Sequence, residues 1–427
     1  MADRRPPVAD RPAPLSGDRL PPLMPGRPPS AADLERWRSA DHAARPARVE
    51  RLRERMRRER VDAYFGVRRE NSRYLTGLEL AEGEEKVAGN SGQFFVSADE
   101  VVVLADSRYT LQAGEQCAQA RVEPVYNDLP ARWSAIVSGL RPLGDGAGRV
   151  RRLAVEAGQV SHLAWLRLAE AEPDLELVPI EGWVEEQRVT KEPAELERIA
   201  AACAVADAAL TRLLPRIRPG ISEQELALQL EWEMRTSGAE ALAFDVACLS
   251  GPRAALPHGS PGERAVAAGE VLLFDFGAQV GGYRSDMTRT LFVGQPTARD
   301  QEIYELVSTA QEAGFAALAQ ALADGRPPTG RQIDAAAREA IEAAGHGPHF
   351  GHGLGHGIGL ATHEAPSLGR LAPPVPLPSP TVFSVEPGVY LDGETGVRIE
   401  DLVLFDADTG RLGRLTAFPR AITVVGE

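Results

Sequence analysis

The chain has 427 residues, enough for two ordinary cores, and its 43% hydrophobic and 25% charged content are globular values. The formal net charge of −14 excludes the basic surface that nucleic acid or an anionic membrane would require. No apolar run approaches the ~18 residues of a membrane span, and no hydrophobic segment follows "MADRR" as a secretory signal would. Cys117, Cys203 and Cys248 are too widely spaced for a disulfide framework, so a reducing, cytoplasmic setting is expected.

Residues 1–30 hold nine of the 33 prolines and few large apolar residues. Residues 1–44 therefore read as a Pro-rich, disordered tail. "RVERLRERMRRERV" then reads as a charged surface helix, "VDAYFGV" as a strand, and "GQFFVSADEVVVLAD" as a hairpin turning at Ser97–Glu100. "DSRYTLQAGEQC" suits a helix, "RRLAVEAG" a strand, "SHLAWLRLAEAEP" a helix and "LELVPIEGWV" a strand. Alternating strands and helices imply a compact α/β domain over residues 45–187.

Residues 188–427 open differently. Pro193 sits at a helix start, with Glu195 and Glu197 in the first turns, where they complement the helix dipole. Ser222 with Gln224 and Glu225 starts a second helix. A β-rich region at about 241–294, helices at about 300–323 and 330–344, and renewed β signals to the end follow. The order helix–helix–sheet occurs twice, a duplication of architecture without visible sequence repetition.

Three segments of this second domain carry chemistry. In "EVLLFDFGAQVGGYRSDMTRTLFVG" a turn at Gly281–Gly282 joins two strands, so the hairpin can bring Asp275 and Asp286 side by side. Asp275 lies among large apolar residues, and Asp is almost never buried unpaired. In "TVFSVEPGVYLDGETGVRIEDLVLF", Glu386 ends one apolar strand and Glu400 lies in another. In "HFGHGLGHGIGLATHEAP", four of the eight histidines are spaced by glycines that allow close backbone approach. Position counting removes the nucleotide alternatives: Ile358 and Leu360 stand where G-x-G-x-x-G needs glycine, and "GRPPTGR" lacks the Lys-Ser/Thr of a P-loop. Ser367 stands where H-E-x-x-H needs its second histidine.

If Asp275, Asp286, Glu386 and Glu400 converge, each neighbouring pair at ~4 Å repels by about 4 kcal/mol at an effective dielectric near 20. Such a cluster persists only with shared protons or bound cations. Four carboxylates balance two divalent metals, and one imidazole can complete the set. Oxygen-rich donors favour Mn²⁺, with Co²⁺, Fe²⁺ or Zn²⁺ as alternatives.

These motifs resemble the pita-bread metallopeptidases: methionine aminopeptidase, prolidase and aminopeptidase P. Asp275 and Asp286 match the family's aspartate hairpin, His356 the metal histidine of "HGLGHGIGL", Glu386 "VEPGVY" and Glu400 "VRIED". "SGPRAALPHGSP" resembles the Xaa-Pro branch, whose histidine falls on His258, and His352 and His363 fall on two further histidines of that branch. "NSRYLTGLE" and "LADSRYTLQA" resemble the creatinase-type N-terminal domain, which methionine aminopeptidase lacks. The implied fold is α/β: a creatinase-type N-terminal domain followed by a pseudo-twofold α+β pita-bread catalytic domain. Departures from the family pattern are Arg253, Ala361, the "PLPSPT" lead-in and a longer segment over residues 79–92.

The resemblance implies a dinuclear-metal hydrolase in which a metal-bridged water attacks the Xaa-Pro carbonyl of peptides with proline second. Asp275, Asp286, His356, Glu386 and Glu400 would be ligands, and Glu386 also the proton shuttle. His363 would stabilise the oxyanion, and His258 or His352 would orient substrate. Arg398 and Tyr283 are expected to contact substrate or, alternatively, to pair with a ligand carboxylate or pack; His346 and His349 are expected to be surface residues. The "DSRYTLQA" context favours an aminopeptidase, with a dipeptidase as the alternative. A non-catalytic binding module of this fold would have lost ligands. A homodimer or higher oligomer is expected by analogy.

Overall fold

The computed structural model describes residues 20, 26–81, 89–126, 128–144 and 148–426. Two compact units emerge, Ser30–Arg188 and Val189–Glu427, the described residues before Ser30 belonging with the second. Among the described residues no helix is long and apolar enough to cross a membrane.

The first unit starts earlier than expected. Helix α1 spans Ala31–Glu59, so residues 31–44 are ordered helix rather than tail. A capping box starts it: Ser30 Oγ accepts from the Asp33 N–H, and the Asp33 carboxylate accepts from the Ser30 N–H. Trp37, Val49, Leu52 and Met56 are its buried apolar side chains. Residues 1–19 and 21–25 of the expected tail lie outside the described residues, as do residues 82–88 of the 79–92 segment. Leu20 is buried in the core of the second unit, and its carbonyl accepts from Arg414 Nε at 3.1 Å.

Strands β1 (Ala63–Gly66), β2 (Phe94–Val96), β3 (Val101–Ala105), β4 (Arg121–Pro124), β5 (Arg152–Glu156) and β6 (Glu176–Ile180) form one sheet in the order β4-β3-β2-β1-β5-β6. The β2–β3 hairpin turns where predicted, with Val96 paired to Val101. Helices α2 (Arg69–Thr76), α3 (Thr110–Gln116), α4 (Leu129–Gly139) and α5 (His162–Ala171) intervene, and short α6 (Glu185–Val189) follows. Trp133 of α4 meets Phe65 edge-on at 5.1 Å and Phe95 at 5.5 Å, which centres the core.

In the second unit, α7 (Pro193–Leu213) and α8 (Glu223–Thr236) begin as predicted, α8 capped by Ser222 Oγ accepting from the Glu225 N–H. Then come β7 (Ala241–Leu242), β8 (Ala247–Ser250), β9 (Val271–Phe276), β10 (Ala278–Val280), β11 (Tyr283–Arg284) and β12 (Met287–Val293). Helices α9 (Ala298–Ala323) and α10 (Gly330–Ala343) follow, each capped by a threonine, Thr297 and Thr329. The chain ends with β13 (Gly355–Gly357), β14 (Glu364–Leu368), β15 (Thr381–Val385), β16 (Gly388–Leu391), β17 (Thr395–Arg398), β18 (Asp401–Asp406), β19 (Arg411–Arg414) and β20 (Val424–Val425). The two principal sheets run β20-β12-β9-β8 and β14-β13-β15-β18-β19, one after each helix pair. This is the duplicated helix–helix–sheet order. One apolar cluster joins strands of both sheets, such as Leu273 and Phe383, to Ile303 of α9 and Ile333 of α10.

Candidate metal centre

Asp275 and Asp286 are brought together by one hairpin. Strands β9 and β12 pair antiparallel with Thr288 opposite Asp275, while the intervening β10 and β11 leave that sheet for a separate one in the order β11-β10-β7. Asp286, immediately before β12, therefore returns to the Asp275 end of the sheet. Glu400 arrives from the other half. Its N–H donates to the Thr288 carbonyl at 3.1 Å, and its Oε2 accepts from Thr288 Oγ1 at 2.8 Å.

His356 and Glu386 lie on neighbouring strand ends. A Cβ at Gly355 would fall 1.9 Å from the Ser384 carbonyl oxygen, so glycine is needed for β13 to approach β15. Ser384 Oγ then accepts from the His356 N–H at 3.0 Å and donates to Glu386 Oε1 at 2.9 Å. His356 Nδ1 lies 3.1 Å from the Gly357 carbonyl and donates to it, which leaves Nε2 as the acceptor. That Nε2 lies 3.3 Å from Glu386 Oε1 and 3.6 Å from Asp286 Oδ2. One ligand-type atom from each of Asp286, His356 and Glu400 lies within 4.8 Å of the other two.

The electrostatics suit cations. Burial first, then the charges of Glu400, Asp275 and Glu386, pushes the Asp286 carboxyl well above its ordinary range. Burial and the neighbouring Glu386 and Asp275 do the same to Glu400, and burial raises Glu386. Burial lowers His356, which favours the neutral imidazole that a metal ligand needs to be. Asp275 Oδ1 is buried without a hydrogen-bond partner. A set of acceptors short of donors is what two divalent cations would complete, so the residues fit the group that the sequence implies.

All five of these residues line one cavity of about 360 Å³ with His258, His352, His363, Arg398, Phe244, Pro257 and Thr362. His363 lies beside His356, ring centroids 4.2 Å apart and planes tilted by 48°. Arg398 Nη2 donates to Asp275 Oδ2 at 2.5 Å and Nη1 to the Tyr390 hydroxyl at 2.9 Å. The Tyr390 hydroxyl in turn reaches His352 Nε2 at 2.8 Å, and His352 Nδ1 lies 2.8 Å from the Gly353 carbonyl. Arg398 thus pairs with the Asp275 carboxylate, one of the two roles weighed for it, and also lines the cavity.

Tyr283 takes the packing alternative weighed for it. It is buried in the β10–β11 ribbon, with its hydroxyl donating to Glu195 Oε1 at 2.8 Å and Arg198 over its ring, and it does not line the cavity. The expected substrate contact at Tyr283 is replaced by packing. His346 and His349 contact each other outside the cavity, Nδ1 to Nδ1 3.3 Å. Arg253 turns to Glu223, Nε to Oε2 3.0 Å. Thr288, Ser384 and Tyr390, which hold Glu400, Glu386, His352 and Arg398 in place, escape sequence reading, although each lies within five residues of a ligand-type residue or His-paired strand.

Residues 197–407 match metallopeptidase family M24, and residues 48–190 match the creatinase/prolidase N-terminal domain. A curated Xaa-Pro dipeptidase of Pyrococcus furiosus is 37% identical over 247 residues, covering 58% of this chain and 68% of that protein. Among solved structures, the Xaa-Pro dipeptidase of Bacillus anthracis is 32% identical with a TM-score of 0.78, covering 89% of this chain and 99% of that one. The chain is a member of metallopeptidase family M24. An X-Pro aminopeptidase structure from Thermotoga maritima is also similar to this metallopeptidase, at 34% identity and a TM-score of 0.77 over 88% of this chain and 99% of that one. The expected fold class, a creatinase-type domain followed by a pita-bread domain, is the one observed.

Proposed function

We propose that this metallopeptidase hydrolyses Xaa-Pro bonds, with dipeptides as its preferred substrates. The observation that carries the reading is one cavity in which Asp275, Asp286, His356, Glu386 and Glu400 meet His258, His352 and His363. The dipeptide preference rests on the relatives from P. furiosus and B. anthracis that are named Xaa-Pro dipeptidase. It revises the aminopeptidase preference drawn from "DSRYTLQA". Removal of the first residue from longer peptides stays as the second reading, on the strength of the T. maritima relative named X-Pro aminopeptidase.

Asp275, Asp286, His356, Glu386 and Glu400 would hold the cations, Mn²⁺ by donor chemistry. When bound, divalent cations supply charge that lowers the pKa of the attacking water and polarises the carbonyl. Glu386, one oxygen fixed by Ser384, accepts the water proton and delivers it to the proline nitrogen, which has no N–H of its own and leaves only once protonated. His363 donates to the carbonyl oxygen as negative charge develops there. His352, its Nε2 held by Tyr390, and His258 on the cavity wall orient the substrate. The buried, free Cys117, Cys203 and Cys248 support a reducing, cytoplasmic setting.

The substrate panel is a comparison of Xaa-Pro with Xaa-Pro-Yaa under Mn²⁺. Dipeptides are expected to show a kcat/KM at least about tenfold higher, because recognition of a free carboxylate discriminates strongly. The reverse order would establish the second reading.

Chelation is expected to abolish turnover, and Mn²⁺ to restore it. In the metal-free protein, Asp286 and Glu400 titrate above their unfolded values of ~4. The folded state then keeps protons that the unfolded state has already lost, so its stability falls as pH rises above ~4 through the folded values. The Tm of chelated protein should therefore drop as pH rises above ~4, and saturating Mn²⁺ should remove that slope. Full activity without metal, or a flat Tm after chelation, contradicts the cation reading.

A further inference from the structure

Of the 47 basic residues in the chain, only Lys86 and Lys191 are lysine. Lys191 has no exposed side-chain surface and stands two residues before α7. A buried ammonium is unfavourable unless paired, and this one is. Its Nζ donates to the Val189 carbonyl at 3.3 Å and to Glu364 Oε1 at 3.0 Å, and its backbone N–H donates to the Pro380 carbonyl at 2.9 Å.

Glu364 is the first residue of β14 and follows His363 directly. The loop 358–363, which joins β13 to β14, presents Thr362 and His363 to the cavity. Its Thr362 side is held by Arg284, whose N–H donates to the Gly359 carbonyl at 2.9 Å and whose Nη1 donates to Thr362 Oγ1 at 2.9 Å. Thr362 Oγ1 donates onward to the Ala243 carbonyl at 3.0 Å. His363 is thus flanked by two fixed residues, Thr362 and Glu364, and the second fixture depends on Lys191. Space explains the lysine: a Cβ at Gly359 would lie 3.3 Å from Lys191 Cε and 2.4 Å from Glu364 Oε1. A planar guanidinium fork needs more room than a compact ammonium.

We propose that the Lys191–Glu364 pair is a latch that positions His363 over the metal-ligand cluster, which makes Lys191 a positioning residue for Xaa-Pro cleavage. This rests on the functional reading above, in which His363 meets the developing oxyanion. The latch sets the imidazole's place by fixing the backbone on its C-terminal side, while Arg284 and Thr362 fix the other side.

Two variants approach the latch from opposite sides. Lys191→Met removes the ammonium and keeps the stem. Gly359→Ala leaves both charges and pushes the Glu364 carboxylate aside. Each is expected to lower kcat about tenfold with KM changed less than about twofold, since a small misplacement of a transition-state donor acts on kcat. In a His363→Ala background each should cost less than about twofold, because the latch acts through the residue already removed. The His363 ring resonances of ¹⁵N-histidine-labelled, metal-free protein should also move in both variants. Equal kcat losses with and without His363, or His363 resonances unmoved in a folded variant, overturn the latch. Should Lys191→Met fail to fold, Gly359→Ala carries the test alone. Absence of Xaa-Pro hydrolysis by the wild type would defeat the functional reading instead, and the resonances would still decide the latch.

Discussion

Glu386→Gln is expected to lower kcat for Xaa-Pro hydrolysis by about 10³-fold, within the range that general acid–base groups contribute. The substitution keeps volume and shape, and the amide oxygen can still accept from Ser384 Oγ, which holds Glu386 Oε1 at 2.9 Å in the wild type. What the amide cannot do is take a proton from water and pass it to the proline nitrogen. Glu386 Oε1 also lies 3.3 Å from His356 Nε2, inside the ligand cluster, so cation binding should weaken as well. Metal stoichiometry measured at saturating Mn²⁺ separates the two effects. Full occupancy with kcat near wild type would remove Glu386 from the proton path and leave it a ligand alone. Full occupancy with kcat collapsed would assign it the shuttle.

The residues that gather in the cavity were legible because each sits in a short, self-declaring context. Asp275 is an acid inside an apolar strand, and Glu386 and Glu400 end or enter such strands. A hairpin sets the Asp275–Asp286 neighbourhood almost by itself, since β9 and β12 pair in continuous register. Helices α9 and α10 lie close to the ranges read from the sequence, about 300–323 and 330–344. What escaped depends on partners far along the chain. Tyr283 faces Glu195, 88 positions earlier, and nothing local to the hairpin says which face the ring takes. Thr288 finds Glu400 at a separation of 112. The helical character of residues 31–44 was masked by the prolines before them and by Pro46 just after them, although Ser30 and Asp33 spell a capping box. Helix α4 has few polar positions to mark a face, and its Asp128 makes no side-chain cap, so only the burial of Trp133 among Phe65 and Phe95 reveals its role.

Arg289→Met is expected to destabilise the fold by about 3–5 kcal/mol, the usual consequence of removing one partner from a buried ion pair. Arg289 and Asp401 are 1% and 0% exposed, and Arg289 Nη2 donates to Asp401 Oδ1 at 2.7 Å. Burial alone would push the Asp401 carboxyl up, but Arg289, Arg414 and Thr416 outweigh it and hold the group below its ordinary range. Arg289 also donates to the carbonyls of Thr288 at 2.9 Å, Phe418 at 2.8 Å and Glu400 at 2.5 Å. One guanidinium therefore anchors the backbone of a ligand-type residue, of its hydrogen-bond partner, and of the C-terminal segment. Methionine fills the volume yet leaves those carbonyls and a buried carboxylate short of donors. Residual bonds to Asp401 from Thr416 at 2.6 Å and Gln311 at 2.9 Å limit the loss, which is why the value stays at the single-pair level. At about 2–4 °C per kcal/mol for a unit of this size, Tm should fall by roughly 10 °C. Since the Glu400 carbonyl loses its donor in the same step, Mn²⁺ should recover less of that loss than it recovers in chelated wild type. A loss under about 1 kcal/mol by denaturant titration would mean that Arg414 takes over the pair, and Arg414→Met in the Arg289→Met background would then carry the whole effect.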